Sequence, residues 1–554
     1  MALAAGRWRG WFSAWRLLAL LTAGIVALPV VTVLWSLTQD SQGDWQHLAQ
    51  TRLGNYLRNT AIIALGVCGI TATWGTLVAW LTTTCDFPGR RLFTWTLVLP
   101  LAVPAYLAAY AYTDLFQFAG PVQTWLRDTF SWQRDDYWFP DLRTTGGAIF
   151  ILSVTLYPYV YLAARSAFLE QSAHAMEVAR TLGKGPWRAW LRVALPLARP
   201  SIAAGTTLVL METLADFGAV EHCAVDTLAT GVYHTWRSLD NPAAAGQLAS
   251  LLLGIVLLAI LIEGASRRRA RHFQLSTTTK PHQRRKLGWA GAIGALTVCA
   301  LPVLAGFVLP VGAFIDMAIR TGDARALEVA IDHGQRSLIL ASIASITAVV
   351  LAVILAYAHR LSRGPVTAFA ARVAGLGYAL PGTVLALGLL IPLTFLDHRL
   401  NKVADQLFGT KPGLVLTGTI FAVLLGYQTR FLAVALAMVR SAFDRVRPSM
   451  DDAAQTLGAS SFRRVWRIHL PMLRASLLAG GLLVFVDVVK ELPATLMLRP
   501  FNFETLAVRA YQLASLERLE QAALPALMII ALGLIPVLVL TVLLRDRDRS
   551  MTLR

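Results

Sequence analysis

Twelve apolar stretches, most of them about 20 residues or longer, recur along a chain of 554 residues, and the polar segments between them are too short to build cores of their own. A helix of that length crosses a hydrocarbon layer of about 30 Å. The stretches fall roughly at 17–38, 56–82, 92–118, 146–168, 200–221, 244–264, 288–318, 336–358, 367–396, 413–439, 476–490 and 522–544. Charged residues make up 15% of the chain, against about 25% in an ordinary soluble domain. The expected fold class is therefore an all-α membrane protein with about 12 transmembrane helices. The first stretch follows Arg7, Arg9 and Arg16, but its apolar run is too long for a signal peptide and no small-x-small site follows it. It is read as an uncleaved span.

The net charge of +18 would suit nucleic acid, but its placement points elsewhere. Alternating the loops between two faces puts roughly 32 of the 50 Lys and Arg on one side and about 15 on the other. The rich side holds both termini, Arg90-Arg91, the stretch from Arg267 to Lys286 and the loops near 180 and 460. That side is expected to be cytoplasmic, with the basic residues setting topology and no nucleic-acid partner. Cys68, Cys85, Cys223 and Cys299 are scattered and show no ligand spacing, so neither a disulfide framework nor a metal site is assigned.

The chain is also a tandem duplication. Arg165-Ser166-Ala167-Phe168 recurs as Arg440-Ser441-Ala442-Phe443, Thr181-Leu182-Gly183 as Thr456-Leu457-Gly458, Leu195-Pro196 as Leu470-Pro471 and Ala204-Gly205 as Ala479-Gly480. Thr227-Leu228-Ala229 answers Thr505-Leu506-Ala507, and Tyr233 answers Tyr511, after a short insertion in the second copy. Chance similarity explains matched Leu and Ala but not matched Gly, Pro, Arg and Tyr. Six spans per copy return the chain to its starting side, so the repeats are parallel. The division is 1–264, a basic cytoplasmic linker at 265–287, and 288–554.

Each repeat carries one cytoplasmic loop of the same design, at 172–200 and 447–475. A short helix ends at Thr181 or Thr456, and Gly183 or Gly458 turns the chain free of Cβ restrictions. A second short helix then begins at Pro186, or behind an N-cap at Ser460 or Ser461. It is expected to stop before Pro196 in copy one and Pro471 in copy two. Its face is bulky and basic: Trp187, Arg188, Trp190 and Arg192, then Phe462, Arg463, Trp466 and Arg467. Such side chains anchor interfaces, although Trp also favours the membrane boundary. The duplicated Gly-to-Pro spacing favours docking to a partner.

Glu177-Val178-Ala179 with Gly183 and Pro196, and Asp452-Ala453-Ala454 with Gly458 and Pro471, resemble the "EAA" loop of binding-protein-dependent ABC importer permeases. Val178 and Asp452 are conservative departures from that pattern. The resemblance implies the type I importer fold as two parallel six-helix repeats. It also implies coupling contacts through Glu177, Ala179, Gly183, Trp187, Pro196, Asp452, Ala454, Gly458, Phe462 and Pro471. It implies two copies of a cytoplasmic ATPase holding ATP and Mg, a periplasmic binding protein, and a multi-pass inner-membrane location with both termini cytoplasmic. Met211 to Gly218, Lys490 to Thr495, Arg499 to Phe503, and Leu99-Pro100 with Pro104 look like the fused two-domain iron(III) permeases. Thiamine, phosphonate or polyamine is the alternative cargo within the same machine.

Glu212 and Asp216 stand four apart on one helical face, and their repeat mates Asp487 and Glu491 do the same. Ionisable groups inside spans are costly and mark candidate pathways, and hard cations prefer oxygen ligands. These four acids are the candidate translocation path. Pairing with Lys490 and Arg430, or capping of helix ends, is the competing reading. No phosphate-cradling G-x-x-x-x-G-K-[ST] occurs and no catalytic cluster is recognisable, so the chain is expected to bind no cofactor and not to be an enzyme. An ion-coupled secondary transporter is the alternative of another class, but it gives no reason for duplicated docking helices.

Overall fold

In a computed structural model, residues 14–170, 188, 190–269, 285–322, 324–362 and 364–552 are described. Eleven helices among them are long and apolar enough to cross a membrane: Ala14–Thr38, Leu53–Thr84, Thr145–Leu169, Trp190–Ala215, Pro242–Ala265, Trp289–Thr321, Ala326–Ser362, Gly382–Phe408, Ile420–Asp444, Ser461–Val489 and Leu519–Val539. The apolar pair Arg90–Ala102 and Ala105–Phe130 bends through 92° between its two helices, the geometry of a broken span or a re-entrant loop. Eleven of the twelve expected stretches coincide with such helices, and the expected span 92–118 falls on the bent pair.

The bend has a local cause that recurs in the second repeat. Val103 and Leu380 each precede a proline, a position where sterics disfavour the helical region. Both are extended, with ψ 108° and 125°, and Pro104 and Pro381 follow with φ −56° in each case. The expected span 367–396 is accordingly broken, into Pro365–Leu376 with the short turn Gly377–Ala379 and then Gly382–Phe408.

The helices after the docking loops correct one expectation. Pro196 and Pro471 do not stop them. Trp190–Ala194 and Val465–His469 are π turns that run without a break into Leu195–Ala215 and Leu470–Val489. A third π turn, Leu304–Val308, precedes Leu309-Pro310. Leu309 and Leu470 donate their N–H to the carbonyl five residues back, at Leu304 and Val465. That wider register accommodates a following residue with no N–H and a bulky ring, so the rod continues. The fifth stretch also ends earlier than expected, at Ala215, because Asp216 leaves the helical region and the short helix Gly218–His222 begins.

Packing divides the chain differently from the repeats. One compact unit comprises Met1–Gln46, Val232–Leu253 and Leu327–Arg509; the other comprises His47–Gly231, Gly254–Ala326 and Ala510–Arg554. In the first, Ala14–Trp35 packs on Gly382–Phe408, where Gly388 leaves no room for a Cβ against the Pro29 carbonyl. In the second, the turn at Leu304–Val308 lies on Pro100 and Val154 through Gly306, and Tyr112 donates to the Ala305 carbonyl at 2.6 Å. Each unit thus takes its opening span from the other sequence half.

The repeat persists in the contacts within each unit. Gly205 abuts the Val160 backbone, and Gly480 lies against Ala435, the equivalent position one repeat later. Small residues at such crossings let helix backbones approach. Leu228 N–H donates to Thr60 at 3.0 Å, and its mate Leu506 donates to Ser337 at 2.8 Å. The last linker residues, Arg285-Lys286, form a two-residue parallel pairing with Cys85-Asp86.

Candidate functional site

The second docking loop is fully described. Pro448–Thr456 forms its first helix, and Gly458 turns the chain at φ +75°. Ser460 caps the next helix by accepting from Arg463 N–H at 3.3 Å. Phe462 and Trp466 lie exposed at 64% and 59%, with ring centroids 6.1 Å apart, while Arg464 and Val465 on the opposite face are buried. Asp452, Gly458 and Pro471 are exposed and Ala454 is buried. The loop therefore offers an aromatic pair with basic neighbours to solvent, as a docking element requires. In the first loop Glu177, Ala179, Gly183 and Trp187 lie outside the described residues. Pro196 is half-buried, and Trp190 packs against Trp80 with ring centroids 5.2 Å apart.

A residue the motif did not single out holds the second loop in place. Asp451 accepts from Arg360 Nε at 2.6 Å and bonds His469 Nε2 at 2.7 Å. Arg360 also donates to the carbonyls of Phe443 at 2.8 Å and Val446 at 3.0 Å. The His469 ring is wholly buried between Phe443 and Tyr357. Burial alone would raise the Asp451 carboxyl, but the bonds from Arg360 and His469 outweigh it and hold its pKa below the ordinary value. By repeat register, copy one carries Thr84, Met176 and Ala194 where copy two has Arg360, Asp451 and His469. The first loop lacks the chemistry for this clasp.

Asp216, Asp487 and Glu491 have local partners. Asp487 pairs with Lys490 at 2.8 Å, and Glu491 pairs with Arg430 at 2.9 Å, both members of that second pair being buried. Asp216 Oδ2 accepts from the N–H groups of Ala219 and Val220 at 3.1 and 3.0 Å. Its mate Glu491 accepts from Ala494 N–H at 3.0 Å. Each thus caps the short helix that follows its span, Gly218–His222 or Pro493–Leu498. Gly382 lies so close to Arg430 Nη1 and Glu491 Oε1 that a Cβ there would stand at 2.7 and 3.0 Å from them. The side chain of Glu212 stands near enough to Asp216 to act on it electrostatically. Among the described residues, no three His, Cys, Asp or Glu side chains converge in a metal-holding group.

Known proteins resemble this chain in sequence. The profile of the family described as "Binding-protein-dependent transport system inner membrane component" matches twice, at residues 60–272 and 348–549. The Fe(3+)-transport system permease protein FbpB 2 of Haemophilus influenzae is 24% identical over 503 residues, covering 89% of this chain and 90% of that protein. The sulfate transport system permease protein CysT of Escherichia coli is 26% identical over 43% of this chain and 84% of its own length. The molybdenum transport system permease protein ModB of Escherichia coli is 27% identical over 34% of this chain and 82% of its own. With two matched copies that bracket both docking loops, the chain belongs to the family of binding-protein-dependent transport system inner-membrane components.

Proposed function

We propose that this chain is the fused, two-repeat permease of an ABC importer that moves iron(III) from a periplasmic binding protein into the cytoplasm. The observation that carries the cargo is extent. The likeness to an iron(III) permease runs across both repeats, whereas the sulfate and molybdenum permeases each align with less than half of the chain. Two copies of an ATPase, with ATP and Mg bound to them, dock at the loops centred on Gly183 and Gly458. One fused chain with two docking loops serves both copies. The excess of Lys and Arg on the docking side supports cytoplasmic termini. The chain's part is to bind, guide and gate, and hydrolysis belongs to the partner.

Uptake of labelled iron(III), sulfate, molybdate, thiamine and aminoethylphosphonate, by cells lacking and regaining the chain, tests the cargo. Iron(III) uptake is expected to depend on the chain. Dependence of another substrate, with iron unaffected, overturns the cargo and leaves the family standing.

A further inference from the structure

The helix Ala14–Trp35 runs away from the second docking loop. Near its start the Trp15 ring meets Tyr357 edge-on with centroids 5.0 Å apart, and Tyr357 donates to the Ser461 carbonyl of that loop at 3.1 Å. Trp35 lies roughly 30 Å further along the same helix, about the thickness of a hydrocarbon layer. Between the two, Pro29 is pressed against Gly388 of the helix Gly382–Phe408. One turn beyond that contact the helices part. Thr32, Trp35 and Ser36 on one, and Ile391, Pro392 and Phe395 on the other, line a cavity of about 660 Å³.

The outer rim of the cavity is polar and carries one sign of charge. Gln39, Asp40 and Gln42 follow the first helix, and Asp240 and Asn241 precede the helix Pro242–Arg269. Asn241 ties the two segments together, donating to the Ser41 carbonyl at 3.0 Å and to Asp44 Oδ2 at 2.7 Å. Asp40 Oδ1 accepts from the Gln42 N–H at 2.9 Å. Asp40 and Asp240 are both exposed, and no Lys or Arg is among the lining residues. A guanidinium stands just outside, that of Arg399, over the Phe395 ring and 5.0 Å from its centroid. Val31, Leu34 and Leu37 on the same stretch of chain are exposed apolar side chains, the surface that lipid covers in a membrane.

Two carboxylates beside an indole face suit an ammonium group, a guanidinium suits a phosphate, and the apolar walls suit a hydrocarbon chain. A phospholipid with an ammonium headgroup carries all three, and lipid already lies along the exposed side of the helix. We propose that the cavity holds phosphatidylethanolamine from the leaflet opposite the docking loop. Its ammonium donates to Asp40 and Asp240, its phosphate meets Arg399, and the head of one acyl chain lies between Trp35 and Phe395. The lipid thereby fills the wedge where the opening span of the first sequence half parts from its partner helix in the second. The site is independent of the cargo.

Native mass spectrometry of the full chain in detergent, offered equal amounts of phosphatidylethanolamine and phosphatidylglycerol with the same acyl chains, tests the site. The ethanolamine lipid is expected to be retained about fivefold over the glycerol lipid, the scale of one exposed ion pair. Asp40→Asn together with Asp240→Asn is expected to remove that preference. Asn keeps the oxygen that accepts from Gln42, and it tolerates the φ of +51° found at Asp240, so both segments keep their shape. Ala243→Trp fills the cavity without touching either acid and is expected to remove the preference as well. It carries the test should the double variant fail to accumulate. Equal retention of the two lipids by the unmodified chain, as for ordinary boundary lipid, overturns the site, and so does a preference that survives both variants. Displacement of the lipid by an equal concentration of soluble glycerophosphoethanolamine makes the occupant a soluble ammonium compound and overturns the lipid.

Discussion

Gly458 and Asp451 are seven residues apart and differ in how much of their role can be read from sequence. Gly458 adopts φ +75°, a region that costs an L side chain about 1 kcal/mol. No atom lies within 4 Å of where its Cβ would stand, so the cost is backbone strain alone. Gly458→Ala is therefore expected to leave the fold intact and weaken docking. Co-purification of the ATPase is the measurement, with Phe462→Ala as a second probe of the same face. The turn is legible because a glycine between two short helices is a local pattern. Asp451 is not legible, since Arg360 lies 91 residues away and the pairing exists only after folding. Its carboxyl pKa is depressed in the folded chain, so its contribution is present above the ordinary Asp value of about 3.9 and is lost as pH falls through the lower folded value. Asp451→Asn is expected to destabilise the chain by about 2 kcal/mol at neutral pH. In detergent thermal melts taken from neutral to acid, the gap from the unmodified chain should narrow below about pH 4.

At the scale of elements, the long apolar helices announce themselves, and the segments that join them do not. Hydropathy located the apolar stretches but could not show that Pro104 and Pro381 break two of them, because other prolines, Pro310 and Pro471, are tolerated after a π turn. What separates the cases is the residue before the proline: Val103 and Leu380 turn extended, whereas Leu309 and Leu470 stay helical with a five-residue hydrogen bond. Register of that kind is settled by packing. The short helix Pro493–Leu498 depends on Glu491, which Arg430 neutralises from Ile420–Asp444. Arg430→Met leaves that carboxylate buried and unpaired, and is expected to cost about 3–5 kcal/mol. Adding Glu491→Gln should restore much of the loss, and chemical denaturation of both variants measures the difference. Spacing marked Asp487 and Glu491 as candidates, but their partners Lys490 and Arg430 occupy them locally.

For the whole molecule, the duplication was legible and the exchange of opening spans was not. Aligned Gly and Pro reveal two copies, but lipid tails are as apolar as leucine, so an apolar helix carries no mark of which neighbour it will choose. Each compact unit draws on both halves. Residues 1–270 and 285–554 expressed separately are therefore expected to be degraded, and expressed together to give a protease-resistant, co-purifying pair. Independent stability of either half would contradict that packing. The unbroken run from Ser461 to Val489 has a mechanical consequence. Its 29 residues make a rod of about 44 Å with Phe462 near one end and the Asp487–Lys490 pair near the other. Were it to move as one body, a tilt of about 10° at the Phe462 end would swing the far end by about 8 Å. Pro471, where the sequence leads one to expect the helix to stop, thus sits inside a lever arm.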